Sequence, residues 1–353
     1  MSPLQEETLC LNGERISAAT LPAWRRGKDG ILSDVADFLA AWWGAGETVP
    51  LHSSGSTGAP KTFDARKAYL RASARASLAV FGLPADGSAL LCLPLRYIAG
   101  KMMVVRALVG GWQLTAAEPS STPLPDGAAF DFAAMVPMQA ARTLELPDGA
   151  ARLSRIGTLL LGGGFIDPAL EQALAQLPTR VYVSYGMTET YSHIALRRLN
   201  GAEQSPYYTP LAGVRVSLSA GGTLCITAPH IGVQGMETND IADITPDGRF
   251  RILGRRDAVI NSGGVKIQAE SIETALAAHG ITALALPQPD PLLGQAVALL
   301  HEPCDPAALQ AALDTLPRYH RPKALYPVDT LPRTATGKPA RAAAAAWLAE
   351  QNL

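Results

Sequence analysis

Between Ala65 and Ser184 short apolar runs alternate with longer stretches of helical period, and this alternation restricts the fold more than any single motif does. ARKAYLRASARASLAVFGL (65–83) spaces its apolar residues as an amphipathic helix does, and the next apolar run, ALLCLPL (89–95), has the length of a strand. IAGKMMVVRALVG (98–110) predicts a helix and WQLTA (112–116) a strand. TLLL (158–161), DPALEQALAQL (167–177) and RVYVS (180–184) repeat the order strand, helix, strand. Short connections through helices belong to parallel strands, so the expected fold class is α/β, with a large N-terminal domain of parallel-type βα layers. Ligands of open α/β sheets sit at the carboxyl ends of strands. Gly162, Gly163 and Gly164 fall at one such end and YGMTET (185–190) at another.

Beyond Gly201 the texture changes. GVRVSLSAGGTLCIT (213–227) and TPDGRFRIL (245–253) alternate apolar with polar residues around Ala220-Gly221-Gly222 and Asp247-Gly248, which are hairpin signals, and predict a β-rich subdomain. After GRRDAVINSGGVKI (254–267) come the helical stretches ESIETALAAHG (270–280) and DPAALQAALDTL (305–316), then the loop RTATGKPAR (333–341) and an alanine-rich terminal helix. At 353 residues the chain exceeds the usual size of one domain, and the expected division is 1–254 and 255–353, the second a small, mobile α+β domain.

Composition narrows the partners. With 30 Lys and Arg against 31 Asp and Glu, the formal net charge is -1, so no electrostatic footprint for nucleic acid or an anionic membrane is present. Cys10, Cys92, Cys225 and Cys304 lie far apart without metal-ligand spacing and are expected to be reduced, buried thiols. The start, MSPLQEETLCLNGE, lacks a basic segment followed by an apolar run, and no stretch reaches the ~18 apolar residues of a membrane span. The expectation is a cytoplasmic protein acting on small molecules.

HSSGSTGAPK (52–61) crowds hydroxyls, glycines and a lysine into ten residues. Gly55, Lys61 and Thr62 nearly meet the Walker pattern, but Pro60 occupies the position of its second glycine, where a backbone N–H must reach phosphate. The remaining readings are a surface linker or a hydroxyl-rich loop that wraps the outer phosphates of ATP with backbone amides.

Four stretches in fixed order decide between them: SSGSTGAPK (53–61), YGMTET, TND followed by GRRDAVINSGGVKI (238–267), and PRTATGK (332–338). Together they resemble the acyl- and aryl-CoA synthetases of the adenylate-forming family, across most of the chain. The resemblance implies two half-reactions. A carboxylate first attacks the α-phosphorus of ATP and releases pyrophosphate; the thiolate of coenzyme A then attacks the acyl carbon and expels AMP. A carboxylate is already a nucleophile, so the site must supply positioning and charge neutralisation.

By that resemblance Ser54, Gly55, Ser56, Thr57 and Gly58 hold the β- and γ-phosphates, with Lys61 supporting the loop. Tyr185 and Gly186 flank adenine, Thr188 binds the α-phosphate and Glu189 holds Mg2+, while Gly162, Gly163 and Gly164 let adenine approach the backbone. Asp240 and Arg255 contact the ribose, although the family's usual TGD reads Thr238-Asn239-Asp240 here. Asp257 is the implied hinge, Lys338 the lysine of adenylation, and Gly263, Gly264 and Lys266 line the path of the pantetheine arm.

The acid is the least constrained element. Only 52 residues precede Ser53, fewer than is common in the family, and this compact form together with LPLRYIAGKMMVVRALVGG (93–111) and AMVPMQ (134–139) resembles a branch that takes an aromatic diacid. Tyr97 stands for an aromatic or histidine gate and Met138 for a threonine, with His193 a further pocket candidate. A second carboxylate needs a cation if it is buried. Lys101 and Arg106 share one helix but point about 140° apart, so no more than one of them faces the acid; the alternative reading is that each snorkels to solvent or pairs with a structural carboxylate. Another aryl or medium-size acyl acid, delivery of the adenylate to a carrier protein, and a non-catalytic nucleotide-binding role stay open on the sequence.

Overall fold

The computed structural model describes residues 7–52, 62–164, 166–334 and 339–351. The chain divides into two compact units, one of Met1–Gly163, Leu174–Arg215 and Thr227–Gly235, the other of Gly164–Ala173, Val216–Ile226 and Met236–Leu353. The second unit thus takes in residues ahead of Arg255 as well as the segment 255–353.

The first unit is built on a nine-stranded sheet. In spatial order its strands are Thr209–Pro210, Ser192–Arg198, Arg180–Met187, Ile156–Leu161, Phe130–Met135, Ser88–Leu91, Gln113–Ala116, Thr8–Leu11 and Glu14–Ser17. The six strands from Arg180–Met187 to Thr8–Leu11 run parallel, and the outer ones join antiparallel. The apolar runs are short and continuous because parallel strands are covered on both faces, and Leu90, Phe132, Leu159 and Val181 have no exposed surface. Helices Lys67–Phe81 and Ile98–Gly110 form where the periodicity places them. Phe81 from the first packs on Phe132 of the sheet with ring centroids 5.0 Å apart, and Trp112 on the same Phe132 at 5.3 Å.

One strand departs from expectation. RVYVS continues through Met187, so Tyr185 and Gly186 belong to the sheet and not to a turn. The cause is the antiparallel partner Ser192–Arg198, which pairs Ser192 with Met187 and His193 with Gly186. A side chain at 186 would run into the Ser192 carbonyl and lie 2.5 Å from the His193 Cα, so glycine is required there by close approach of two backbones.

A four-stranded sheet follows in the order Arg215–Leu218, Thr223–Ala228, Val233–Ile244 and Phe250–Arg255. Beyond it, a five-stranded sheet is centred on Gly294–His301, flanked by Ala283–Asp290 and by Val259–Ser262 and Ala324–Pro327. Alternate residues of its strands serve two cores. Ala285, Val297 and Leu299 meet helices Ala269–Ala277 and Pro306–Thr315, while Leu284, Leu286, Ala298 and Leu300 meet the terminal helix Arg341–Gln351. Arg341 fixes the start of that last helix, with Nη2 2.7 and 2.9 Å from the two carboxylate oxygens of Glu273. No helix among the described residues is long and apolar enough to cross a membrane.

Candidate active site

The site is assembled at the carboxyl ends of adjacent parallel strands. Ile156–Leu161 delivers Gly162 and Gly163, and its neighbour Arg180–Met187 delivers Tyr185, Gly186 and the turn Thr188–Thr190. The Ser184 hydroxyl donates to the Leu161 carbonyl at 2.9 Å and fills the space that a side chain at Gly162 would need. Gly163 and Gly164 are exposed. Tyr185 lies against Tyr208 with ring centroids 5.7 Å apart.

Thr190, which the sequence did not single out, clamps the turn. Its Oγ1 accepts from the Met187 N–H at 2.9 Å and lies 2.7 Å from the Ser192 carbonyl, to which it donates. The chain then reverses at Tyr191, a non-glycine residue at φ 60°, whose ring packs on Tyr69 at 5.7 Å. Held this way, the half-buried Thr188 and the exposed Glu189 stand side by side at the strand end. A hydroxyl next to an exposed carboxylate suits phosphate and Mg2+, which keeps most of its waters and takes one or two carboxylates together with phosphate oxygens.

Tyr97 and Met138 follow the ends of two more parallel strands. Tyr97, half-buried, precedes the helix Ile98–Gly110 and has the Arg96 guanidinium 4.9 Å from its ring centre. Met138 is 50% exposed on the first turn of the helix Pro137–Leu144.

The two cations of Ile98–Gly110 leave it on different sides. The half-buried Lys101 donates from Nζ to the Leu95 carbonyl at 2.5 Å; burial lowers its pKa, and the charge of Asp34 opposes that shift. Arg106 is 2% exposed and donates from Nη2 to the Ser192 hydroxyl at 2.7 Å, with Nη1 3.7 Å from the Met103 sulfur. Among the described residues its Nε has no partner and it forms no ion pair, and desolvation pulls its pKa down to about 10.

His193 is buried beside it. Nδ1 lies 3.4 Å from Arg106 Nη2 and 3.3 Å from the Ser192 hydroxyl, and Nε2 lies 3.1 Å from the Ser77 hydroxyl. Burial first, and the Arg106 charge second, hold its pKa well below the ordinary histidine value. His193 therefore stands behind Arg106 with both ring nitrogens engaged. Ser77 and Ser192 were missed in the sequence; the only signal was Ser73 and Ser77 spaced one turn apart on an otherwise amphipathic helix.

Ser54, Gly55, Ser56, Thr57, Gly58, Lys61 and Lys338 lie outside the described residues. The strands on either side of the first group, Thr48–His52 and Thr62–Arg66, pair antiparallel from Thr48 with Arg66 to His52 with Thr62. His52 and Thr62, the described residues on either side of it, thus lie opposite each other.

In the second unit, Asp240 on the strand Val233–Ile244 and Arg255 at the end of Phe250–Arg255 face each other in register, with Arg255 Nη1 3.2 Å from Asp240 Oδ1. Arg255 also grips Asp257, and that pairing lowers the Asp257 pKa and raises that of Arg255. Asn239, in place of the family's glycine, sits in the strand and accepts from Arg256 Nη2 at 2.9 Å. Gly263 and Gly264, at φ 58° and 84°, make the two-residue turn between Val259–Ser262 and Val265–Gln268, a turn that requires positive φ at both positions. Lys266 is exposed just beyond it.

A cavity of about 370 Å3 opens at the opposite, amino ends of the parallel strands, beside Ser88, Asp131, Arg155 and Thr179. It takes in none of the residues above.

Parallel strands ending in a glycine turn and a threonine-glutamate turn are the framework of a nucleotide-activating enzyme, and the profile of the AMP-binding enzyme family matches residues 48–230. The chain belongs to this family of AMP-binding enzymes. More particularly, it is 30% identical, over 82% of each chain, to a probable 2-succinylbenzoate–CoA ligase of Mycobacterium tuberculosis. It is 27% identical to the 2-succinylbenzoate–CoA ligase of Listeria monocytogenes, over 82% of this chain and 67% of that one. Among solved structures, an acyl-CoA synthetase (AMP-forming)/AMP-acid ligase II-like protein from Dyadobacter fermentans is 37% identical, with a TM-score of 0.64 over 94% of this chain and 98% of that one. The o-succinylbenzoate coenzyme A synthetase of Bacillus subtilis, solved with ATP and magnesium ion, shares the fold at 22% identity and a TM-score of 0.68, over 83% of this chain and 68% of that one.

Proposed function

We propose that this enzyme ligates o-succinylbenzoate to coenzyme A through an acyl-adenylate, a step of menaquinone biosynthesis, and that it does so in the cytoplasm. One carboxylate oxygen of the acid attacks the α-phosphorus, the bond to the bridging oxygen of pyrophosphate breaks, and the acyl-adenylate forms. The coenzyme A thiolate then bonds to the acyl carbon and AMP leaves with the electron pair of the broken carbon–oxygen bond of the mixed anhydride.

The residues divide this work. Thr188 donates to the α-phosphate, Glu189 holds Mg2+, and Tyr185, Gly186 and the glycines 162–164 border adenine. When bound, Mg2+ neutralises charge on the phosphates. Ser54, Gly55, Ser56, Thr57, Gly58 and Lys61 receive the outer phosphates, and Asp240 with Arg255 takes the ribose hydroxyls. Lys338 offsets transition-state charge in adenylation. Residues 255–353 turn about Asp257 to bring Gly263, Gly264 and Lys266 to the pantetheine arm for the second half-reaction. Tyr97 and Met138 border the acid.

Arg106 carries the choice of acid. A buried guanidinium without a carboxylate partner is costly unless a ligand supplies one, and Arg106 reaches the strand pair that bears the threonine-glutamate turn. The carboxylate of o-succinylbenzoate that is not activated is that partner. Lys101, engaged by the Leu95 carbonyl, plays a structural part.

The test is mass-spectrometric detection of the thioester from o-succinylbenzoate, ATP and coenzyme A, with benzoate as comparison. Thioester from the diacid in preference is the expected result. Thioester from benzoate at equal or greater rate would overturn the assignment of the acid, and absence of AMP release with every acid would overturn the ligase reading.

A further inference from the structure

Arg106 is held in place by protein groups alone, and the way they hold it sets a proton. A guanidinium has only donors. His193 Nδ1, 3.4 Å from Arg106 Nη2, can face it without conflict only as a bare lone pair, so the proton of the neutral ring belongs on Nε2. Nε2 meets the Ser77 hydroxyl at 3.1 Å, and that hydroxyl lies 3.1 Å from the Ser73 carbonyl one turn back on its own helix. A serine hydroxyl carries one proton. Ser77 gives it to Ser73 and accepts from Nε2, which completes a chain from Ser73 through Ser77 and His193 to Arg106. The Ser192 hydroxyl closes it, 2.7 Å from Arg106 Nη2 and 3.3 Å from Nδ1.

We propose that Ser77 and His193 are positioning residues for acid specificity: Ser77 fixes the Nε2–H tautomer of His193, whose Nδ1 then aims the Arg106 guanidinium at the second carboxylate of the diacid. The part concerning the substrate rests on the assignment of Arg106 above; the tautomer does not. Without Ser77 the buried Nε2–H loses its acceptor, which offsets the preference that Arg106 imposes on Nδ1; a proton moved to Nδ1 then sets donor against donor and displaces the guanidinium. A packing role for Ser77 would affect all acids alike, because it would not act through the Arg106 guanidinium.

The experiment has two arms on the full chain. Nitrogen-15 NMR of labelled histidines, with His193 assigned by His193→Gln, is expected to show a protonated Nε2 and bare Nδ1 in the wild type, and a tautomer mixture or reversal in Ser77→Ala. Protonation at Nδ1 in the wild type, or an unchanged tautomer in Ser77→Ala, overturns the proposal whatever the substrate proves to be. In kinetics, Ser77→Ala should raise KM for o-succinylbenzoate about tenfold more than KM for benzoate, the scale of one misaligned charged hydrogen bond, and Ser77→Thr should restore it. Equal effects on both acids overturn the specificity role. If Arg106→Gln leaves the diacid preference intact while the tautomers behave as expected, the fault lies with the assignment of the acid and not with the positioning chain.

Discussion

Arg255 and Asp257 are joined by two parallel hydrogen bonds, Nε to Oδ1 at 2.9 Å and Nη2 to Oδ2 at 2.8 Å, while the remaining Nη1 of Arg255 reaches Asp240. The proposed hinge residue and the proposed ribose carboxylate thus share one guanidinium. Lysine keeps the charge but cannot make the planar fork and the third contact together. Arg255→Lys is expected to raise KM for ATP about tenfold, the scale of one charge-assisted hydrogen bond, and to alter the ratio of the two half-reaction rates. Steady-state and single-turnover assays check this; an unchanged KM and ratio would separate Arg255 from both tasks.

Arg106 and Lys101 offer an internal comparison on one helix. Arg106→Gln is expected to reduce the preference for o-succinylbenzoate over benzoate by about 10- to 100-fold, the range for a charged hydrogen bond lost in a buried site. Lys101→Gln, which gives up only a tether to the Leu95 carbonyl, should leave the preference within a factor of ~3. Competition between the two acids measures it, and the opposite ranking would move the recognition to Lys101.

Lys338→Ala is expected to slow adenylation by ~10²-fold or more, the scale for removing one preorganised charge donor. Thioester formation from supplied acyl-adenylate should remain nearly intact. Equal damage to both half-reactions would refute that division of labour.

His193 makes stability depend on pH in a definite direction. Its folded pKa is held well below the usual value by burial and by Arg106, whereas in the unfolded chain it titrates near 6.5. The contribution is therefore fully present above about pH 6.5 and is lost as pH falls from there toward the folded pKa, at about 1.4 kcal/mol per pH unit for one proton. Urea unfolding of the wild type and His193→Gln between pH 7.5 and 5 tests it. The variant should lose that part of the slope; identical slopes would show that the ring is not kept neutral.

Much of the architecture is legible in the sequence, and for a physical reason. The helix Ile98–Gly110 has the predicted bounds because its apolar run stops at Gly111, which takes the left-handed conformation that ends it. What escaped notice depends on residues distant in the chain. Strand Arg180–Met187 outran its apolar residues because its antiparallel neighbour holds the glycine and tyrosine in the ladder. Arg106 could not be told from Lys101 until strand Ser192–Arg198, 86 residues on, supplied its hydroxyl partner. Ser77 carried no sign beyond its spacing from Ser73, since its role exists only where two helices and a strand meet.

The borders of the nine-stranded sheet bear on how the enzyme behaves when crowded. One ends in a strand of two residues closed by Pro210, which has no N–H to offer, and the other in the arm Glu14–Ser17, where Glu14 and Arg15 point outward. Among the described residues, a stray polypeptide finds only a short or charge-flanked ladder to extend at either side. Replacing Glu14 and Arg15 with valine would remove one of these guards and invite ribbon-like aggregation.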